Sequence, residues 1–412
     1  MPYYSFVILC YNNCELTKQA IETLIKSLNE TFINKGIEII IIDNGSNDST
    51  KEVVENIIVS NKKEKIEIIY VKLLENMGYP VGINIGLSYC RGKIIGVLNN
   101  DLIFPNNWLN ALVELLETDE SIGVAAPYLS YAYGIQRIDV RFNSLEEINS
   151  FSKEFVNNNK DKTTYITRVI GACMILKRQV LKEVGGNDFF FGIGHFDDDD
   201  WCLRIRMAGY KIAVVGGSFV YHMGSKTFKT VKENINNFVS INRSKFYRKW
   251  RLTNDRNINN VYIDREKYIK KNHYNKGRDF IPCNYNDYQI CENIDLDEKD
   301  HKTLVIADWE NVYSKWKEKL EVVINNPDYD RIFLWIPSNY FNFYNVVNSI
   351  KMKILSKVDS IDIKKVLYID DNIEHMNILG FINDFDSVVK IEGDFINKYI
   401  VYLADELGIK IY

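Results

Sequence analysis

Four consecutive carboxylates, Asp197 to Asp200, stand directly before an amphipathic segment that stops at Gly209, and a β-rich run then ends on His222. Packing gives little reason to gather that charge beside Trp201 and Leu203. Acidic residues in a first helical turn are favoured by the helix dipole and by capping, each worth ~0.3–1 kcal/mol, which accounts for one or two of the four. Crowded carboxylates also repel, so at least one should have a raised pKa unless a cation lies nearby, and such a group suits a general base. Asn99-Asn100-Asp101 ends an apolar strand. One carboxylate flanked by amide oxygens fits a hard divalent cation that keeps water and substrate phosphate as its other ligands, while a plain polar turn before Pro105 is the alternative. His222 alone reads as an ordinary hydrogen-bonded side chain; combined with Asp101 it becomes a ligand. Asp43 closes another strand just before Gly45 and Ser46, where a carboxylate either accepts from a nucleobase N–H or caps the next helix as an Asx turn.

These residues need elements to hold them. Ser5–Cys10, Ile37–Ile42, Ile66–Val71 and Lys93–Leu98 read as strands, nearly all apolar, as in a sheet covered on both faces. Between them, Leu16, Ala20, Leu24 and Leu28 recur at helical spacing, a helix follows the turn at 43–50, and Val81–Cys90 reads as a short helix. Alternating strands and helices predict an α/β fold with a mostly parallel, doubly wound sheet, whose ligands lie beyond the carboxyl ends of the strands. Tyr11, Asn12, Asp43, Asn76 and Asp101 all fall at or just past those ends. Residues 127–165 are polar, aromatic and poorly periodic, as a long functional loop or lid would be, and Val169–Leu176 returns to a buried strand or edge segment. From about 251 to 300 the pattern weakens into a connector rich in Asn, Lys, Tyr and Asp. Strands at Thr303–Ala307, Arg331–Ile336, Lys365–Ile369 and Ser387–Ile391, with helices between, predict a second, smaller α/β unit over 301–412. Its Asp370-Asp371-Asn372 reads as a polar turn, and no Gly-rich phosphate loop is present there.

The 412-residue chain is 46% hydrophobic and 13% aromatic, ample for real cores and against disorder. Lys+Arg 51 against Asp+Glu 55 argues against a nucleic-acid binder held by phosphate contacts. No apolar run approaches the ~18–20 residues of a membrane span, and no signal peptide is read at the N-terminus. The expected location is the cytoplasm, with peripheral association at the inner face of the membrane as a variant. Seven scattered cysteines without CxxC pairs predict reduced, mostly buried thiols.

Val7–Asn13, Ile41–Asp48, Glu75–Tyr79 with Asn84 and Gly86, Leu98–Asp101, Gly185–Asp188, Asp197–Arg204 and His222 occur in an order that resembles family 2 glycosyltransferases, with the rhamnosyltransferase-like branch the most similar. The resemblance spans about residues 3–250 and includes Asn242, Arg243, Phe246, Lys249 and Trp250. It implies a GT-A domain over 1–250, followed by the connector 251–300 and an accessory α/β domain over 301–412. It also implies roles by position. Tyr11, Asn12 and Asp43 would hold the nucleobase; Asn76, Gly78, Asn84 and Asn100 would line the nucleotide-sugar site. Asp101 and His222 would bind a divalent cation, Mn²⁺ or Mg²⁺. Counting back from Arg204 places the catalytic base on Asp198, with Asp197 as its acidic neighbour and Asp199 and Asp200 beginning and capping the helix. The metal motif has one acid where two are common, and Ile83 stands where many members carry Arg.

The implied activity is that of an inverting, hexosyltransferase-type enzyme. It would move a sugar from a UDP- or dTDP-sugar to a hydroxyl of a glycan, a lipid-linked sugar or a protein. A non-catalytic sugar-nucleotide-binding or assembly module is the alternative. A sugar-1-phosphate nucleotidyltransferase would show a Gly-rich loop with Arg and Lys after the first strand, where this chain has Tyr11-Asn12-Asn13-Cys14. Acceptor docking or homo-oligomer formation is the expectation for the C-terminal domain.

Overall fold

The computed structural model describes residues 1–61, 65–224, 235–252, 269–270, 272–288, 301–311, 313–355 and 365–412. Most of the predicted connector 251–300 lies outside them. The chain forms two compact units. The first comprises Met1–Asn187, Asp198–Lys232 and Asn257–Lys276; the second comprises Asp188–Asp197, Glu233–Arg256 and Gly277–Tyr412.

In the first unit, strands β1 (Tyr4–Cys10), β2 (Ile37–Asp43), β3 (Ile66–Lys72) and β4 (Ile94–Asn99) run parallel in the order β3-β2-β1-β4. Every residue of β1 and β2 is buried, which is why they read as unbroken apolar runs. Glu38 interrupts the run in β2, and its buried carboxylate accepts from the Ser5 hydroxyl and from Arg91. Helices α1 (Cys14–Ser27), α2 (Glu30–Lys35), α3 (Thr50–Ser60) and α4 (Tyr79–Tyr89) connect these strands. Helix α4 lies very close to the sheet: a Cβ on Gly86 would sit 2.3 Å from the Val7 side chain.

The sheet continues past β4 with a change of direction. Strand β5 is Leu102–Ile103, helix α5 is Asn110–Thr118 and strand β6 is Ile122–Leu129. Strand β8 (Cys173–Lys177) runs antiparallel between β4 and β6, inside the sheet and not at an edge. The long strand β9 (Lys211–His222) pairs with β6 in parallel, and its last two residues pair antiparallel with β5.

Residues 127–165 are not a structureless lid. They carry helix α6 (Leu145–Asn159) and strand β7 (Thr163–Ile166), which pairs with β9. Ile148, Phe151 and Phe155 of α6 pack with Phe219 of β9, and the helix-type spacing of those three apolar residues is the overlooked signal. Helix α7 (Arg178–Val184) then leads toward α8 (Asp197–Met207), which begins at the first aspartate of the run.

The second unit contains helix α9 (Ile235–Lys249) and a parallel five-stranded sheet. Its strands are β10 (Lys302–Val305), β11 (Arg331–Trp335), β12 (Val366–Ile369), β13 (Ser387–Val388) and β14 (Lys410–Ile411), in the order β12-β11-β10-β13-β14. Helices α10 (Trp316–Asn325), α11 (Phe343–Lys353), α12 (Ile378–Asn383) and α13 (Phe395–Glu406) complete the α/β pattern expected from the sequence.

Candidate active site

The loops after β1 and β2 are tied into one surface. Asn12 and Asn13 both take left-handed backbone conformations, φ 54° and 58°, which asparagine tolerates better than most residues. The Asn12 N–H donates to the Ser46 hydroxyl at 2.8 Å, and its side-chain oxygen accepts from the Asn47 N–H at 2.9 Å. Gly45, at φ 79°, lies so near the loop after β3 that a Cβ would come 2.6 Å from the Glu75 backbone. Asn44 spans the same gap, donating to Asn76 and to the Gly78 carbonyl and accepting from the Met77 N–H. Tyr11 sits partly exposed at the end of β1.

Three side chains expected to line the donor site hold hydrogen bonds within the protein. Asp43 is fully buried; it accepts from the Ser46 N–H at 2.7 Å and the Tyr70 hydroxyl at 2.7 Å, with the Lys72 ammonium at 3.9 Å. These bonds hold the turn after β2, while helix α3 begins later, at Thr50, with Ser49 as its N-cap. The Asn84 amide donates to the Asn187 carbonyl and accepts from the Asn187 N–H, both at 2.7 Å. Asn100 donates to the Thr17 hydroxyl of α1 at 3.0 Å. A short polar side chain declares its hydrogen-bonding capacity in the sequence but not its direction.

The pairing of β5 with the end of β9 sets Leu102 opposite His222 and brings Asp101 to the histidine ring. Asp101 Oδ1 lies 3.2 Å from His222 Nε2, with both residues nearly buried. The other ring nitrogen, Nδ1, meets the Tyr131 carbonyl at 2.7 Å, so it carries the proton there. In the neutral ring Nε2 then presents a lone pair toward a carboxylate oxygen that receives no well-formed hydrogen bond. Two lone pairs face to face demand a proton or a cation between them. Burial pulls the imidazole pKa down, but the adjacent Asp101 carboxylate and the Tyr131 carbonyl outweigh it and leave it raised. A carbonyl on the far nitrogen is also how metal-binding histidines are oriented. The donor set fits a divalent cation. Among the described residues no group of three or more His, Cys, Asp or Glu side chains is arranged to hold a metal. A cation here would therefore draw its remaining ligands from phosphate and water, as hard cations commonly do.

The four aspartates have four different environments. Asp199 pairs with Arg168, and Asp200 pairs with Arg204 at 2.8 Å, so these two are counter-ions. Arg204 is fully buried and also donates to the Val184 and Gly186 carbonyls, while Trp201 Nε1 donates to the Gly185 carbonyl. Asp197 is buried as well. Asp198 alone of the four keeps part of its surface exposed. Its carboxylate accepts from the Gly171 N–H at 3.1 Å and the Asp199 N–H at 2.9 Å. Burial and the charge of Asp199 raise its pKa, against the opposing pull of Arg168 and the two N–H donors.

Gly171 links the two halves of the site. Its carbonyl accepts from the Tyr79 hydroxyl at 2.9 Å. The next residue, Ala172, accepts through its carbonyl from the Asn99 N–H at 2.9 Å, two positions before Asp101. The half-buried Asp198 and the Asp101–His222 pair therefore converge on the carboxyl end of β4. Gly171, Arg168 and Tyr131 went unnoticed in the sequence, because only tertiary pairing gives them a place.

Residues 5–185 match the family described as "Glycosyl transferase family 2". A Haemophilus influenzae protein described as an uncharacterized glycosyltransferase is 32% identical over 128 residues, covering 31% of this chain and 37% of that relative. The glycosyltransferase AglE of Haloferax volcanii is 23% identical over 219 residues, covering 52% of this chain and 64% of its own. The matched segments span 37%, 19% and 24% of the first three curated relatives. Among solved structures, a mannosyltransferase from Pyrobaculum calidifontis in complex with GDP-Man and Mn²⁺ is similar, with TM-score 0.41 and 16% identity over 60% of this chain and 62% of that one. Residues 5–185, less than half of the chain, are thus similar to glycosyl transferase family 2.

Proposed function

We propose that the protein is an inverting hexosyltransferase that moves a sugar from a UDP- or dTDP-sugar to an acceptor hydroxyl on a glycan, a lipid-linked sugar or a protein, with Asp198 as general base. The observation that carries this reading is the half-buried Asp198, its carboxylate anchored through Gly171 at the strand end that also bears Asp101 and His222. Asp198 takes the proton of the acceptor hydroxyl as its oxygen bonds to the anomeric carbon. The bond from that carbon to the diphosphate oxygen breaks on the opposite face, and the nucleoside diphosphate leaves with the electron pair. Asp101 and His222 would hold a divalent cation, which when bound supplies compensation for the charge on the leaving diphosphate. Tyr11 and Asn12 would border the nucleobase, with Asp43 shaping their loop from beneath. Asn76 and Gly78 would flank the nucleotide, while Asn84 and Asn100 brace the walls. No helix among the described residues is long and apolar enough to cross a membrane.

The test measures donor binding and turnover separately. Thermal shifts with UDP-, dTDP- and GDP-sugars, with and without Mn²⁺, should single out one nucleotide class. Ligand at ~100 times its Kd adds about 2.7 kcal/mol of stability. Asp198→Asn should keep that shift and lose turnover by roughly 10²–10⁴-fold. Unchanged turnover in this variant would defeat the assignment of the base. A wild-type protein that neither binds nor turns over any nucleotide sugar would point to the non-catalytic module.

A further inference from the structure

The second unit has the architecture that ordinarily receives a ligand. In parallel sheets of this kind the crevice opens outside the carboxyl ends of the strands, at the point where the strand order reverses. Here that point lies between β10 and β13. It is filled by the chain's own residues. Gly192 lies so close that an added Cβ would stand 3.6 Å from the Phe395 side chain and 3.8 Å from Asp308 Oδ2. Phe190 stacks on Tyr340 with centroids 4.0 Å apart and meets the edge of Trp335, which ends β11; Phe189 packs on Tyr399.

The segment is held by charge as well as by rings. Asp188 is completely buried and accepts from Lys249 Nζ at 2.8 Å, the Tyr340 hydroxyl at 2.7 Å, His375 Nε2 at 2.9 Å and the Phe190 N–H at 3.0 Å. Its carbonyls are secured too. Asn242 Nδ2 donates to those of Phe191 and Gly194, both at 2.7 Å, and Lys245 Nζ donates to that of Phe190 at 2.9 Å while pairing with Asp308. The segment then ends in two successive left-handed residues, His195 at φ 71° and Phe196 at φ 68°. Such strained residues persist only where their surroundings over-determine them. Two positions after Phe196 comes Asp198.

We infer that the C-terminal α/β unit is an intramolecular clamp whose ligand is the segment Asp188–Asp197, and that Tyr340 and His375 are positioning residues for Asp198. Both lie outside the residues that match the family. The inference rests on Asp198 being the base, since its catalytic consequence is read through that carboxylate. A unit with its crevice occupied in this way has no vacancy there for a second nucleotide.

The test uses the full chain and two conservative variants, Tyr340→Phe and His375→Gln, each removing a single partner of Asp188. Both should fold, raise amide exchange across 189–197, lower kcat at least about 10-fold and leave donor KM within about twofold, because misplacing a catalytic group acts on the chemical step. Faster exchange with unchanged kcat would overturn the proposal, as would unchanged exchange or a loss confined to donor KM. Should His375→Gln fail to fold, Tyr340→Phe, which deletes one hydroxyl, decides alone. Asp198→Asn keeps the two readings apart. If it retains turnover, the base assignment fails whatever the clamp does. If it abolishes turnover while both clamp variants keep full kcat, the clamp fails and the base assignment stands.

Discussion

Asp198 sits where burial and the charge of Asp199 oppose its ionisation and Arg168 favours it. Catalysis needs the ionised form, so activity should climb as pH rises through this raised pKa. Arg168→Gln removes the favourable cation and should move the acid limb of kcat to higher pH, with the loss of activity greater at pH 6 than at pH 8. Asp199→Asn removes the unfavourable charge and should move the same limb to lower pH. The double variant should lie between them, since the two charges partner each other. Limbs that coincide in all three proteins, or that shift in the opposite sense, would show that another group sets the profile. Arg168→Gln strands a buried carboxylate, a change that typically costs about 3–5 kcal/mol. The profiles therefore belong well below the unfolding temperature.

Helix α4 shows how one amide can couple elements that the chain keeps far apart. The Asn84 side chain replaces a backbone partner for Asn187, satisfying both its N–H and its carbonyl. Asn84→Ala leaves those two buried groups unpaired, at about 1–3 kcal/mol each. It should lower stability measurably in denaturant titration while leaving donor KM nearly unchanged. A large rise in donor KM with intact stability would restore Asn84 to the nucleotide site. The same contrast marks what sequence could reveal. Strands β1 to β4 were legible because burial on both faces leaves an unbroken apolar run ended by Asx and Gly turns. Asp101 and His222 were legible as partners because both stand at strand ends. Asp199 and Asp200 are in ion pairs: Arg168 reaches Asp199 only in the folded unit, whereas Asp200 and Arg204 stand one turn apart on α8. Helix α6 was missed because its apolar positions are few and separated by charged and amide residues, so tertiary packing on β9 supplies what periodicity barely announces.

At the scale of the molecule, the second unit carries a pH dependence of its own. Asp394 is fully buried beneath the carboxyl end of β13. It caps α13 through the Asn397 N–H and accepts from the Asp308 N–H and the Ser314 hydroxyl. Burial, and then the charge of Asp308, push its pKa up to about 6, above an ordinary value near 3.8. A carboxyl whose folded pKa is raised stabilises the fold fully below its unfolded pKa, and that contribution is lost as pH rises through the folded value. The window therefore runs from about pH 4 to a little above pH 6, and linkage allows at most about 3 kcal/mol across it. Asp394→Asn has no such titration. It forfeits part of the hydrogen bonding at every pH, so it should be less stable than the parent, and the gap should be widest near pH 4 to 5 and should narrow by pH 7. Denaturant titrations of both proteins at half-unit pH intervals measure that gap directly. A gap that stays constant, or widens with pH, would show that Asp394 is ionised throughout. In that case Lys245, already paired with Asp308, would be the first candidate to share its charge with both carboxylates.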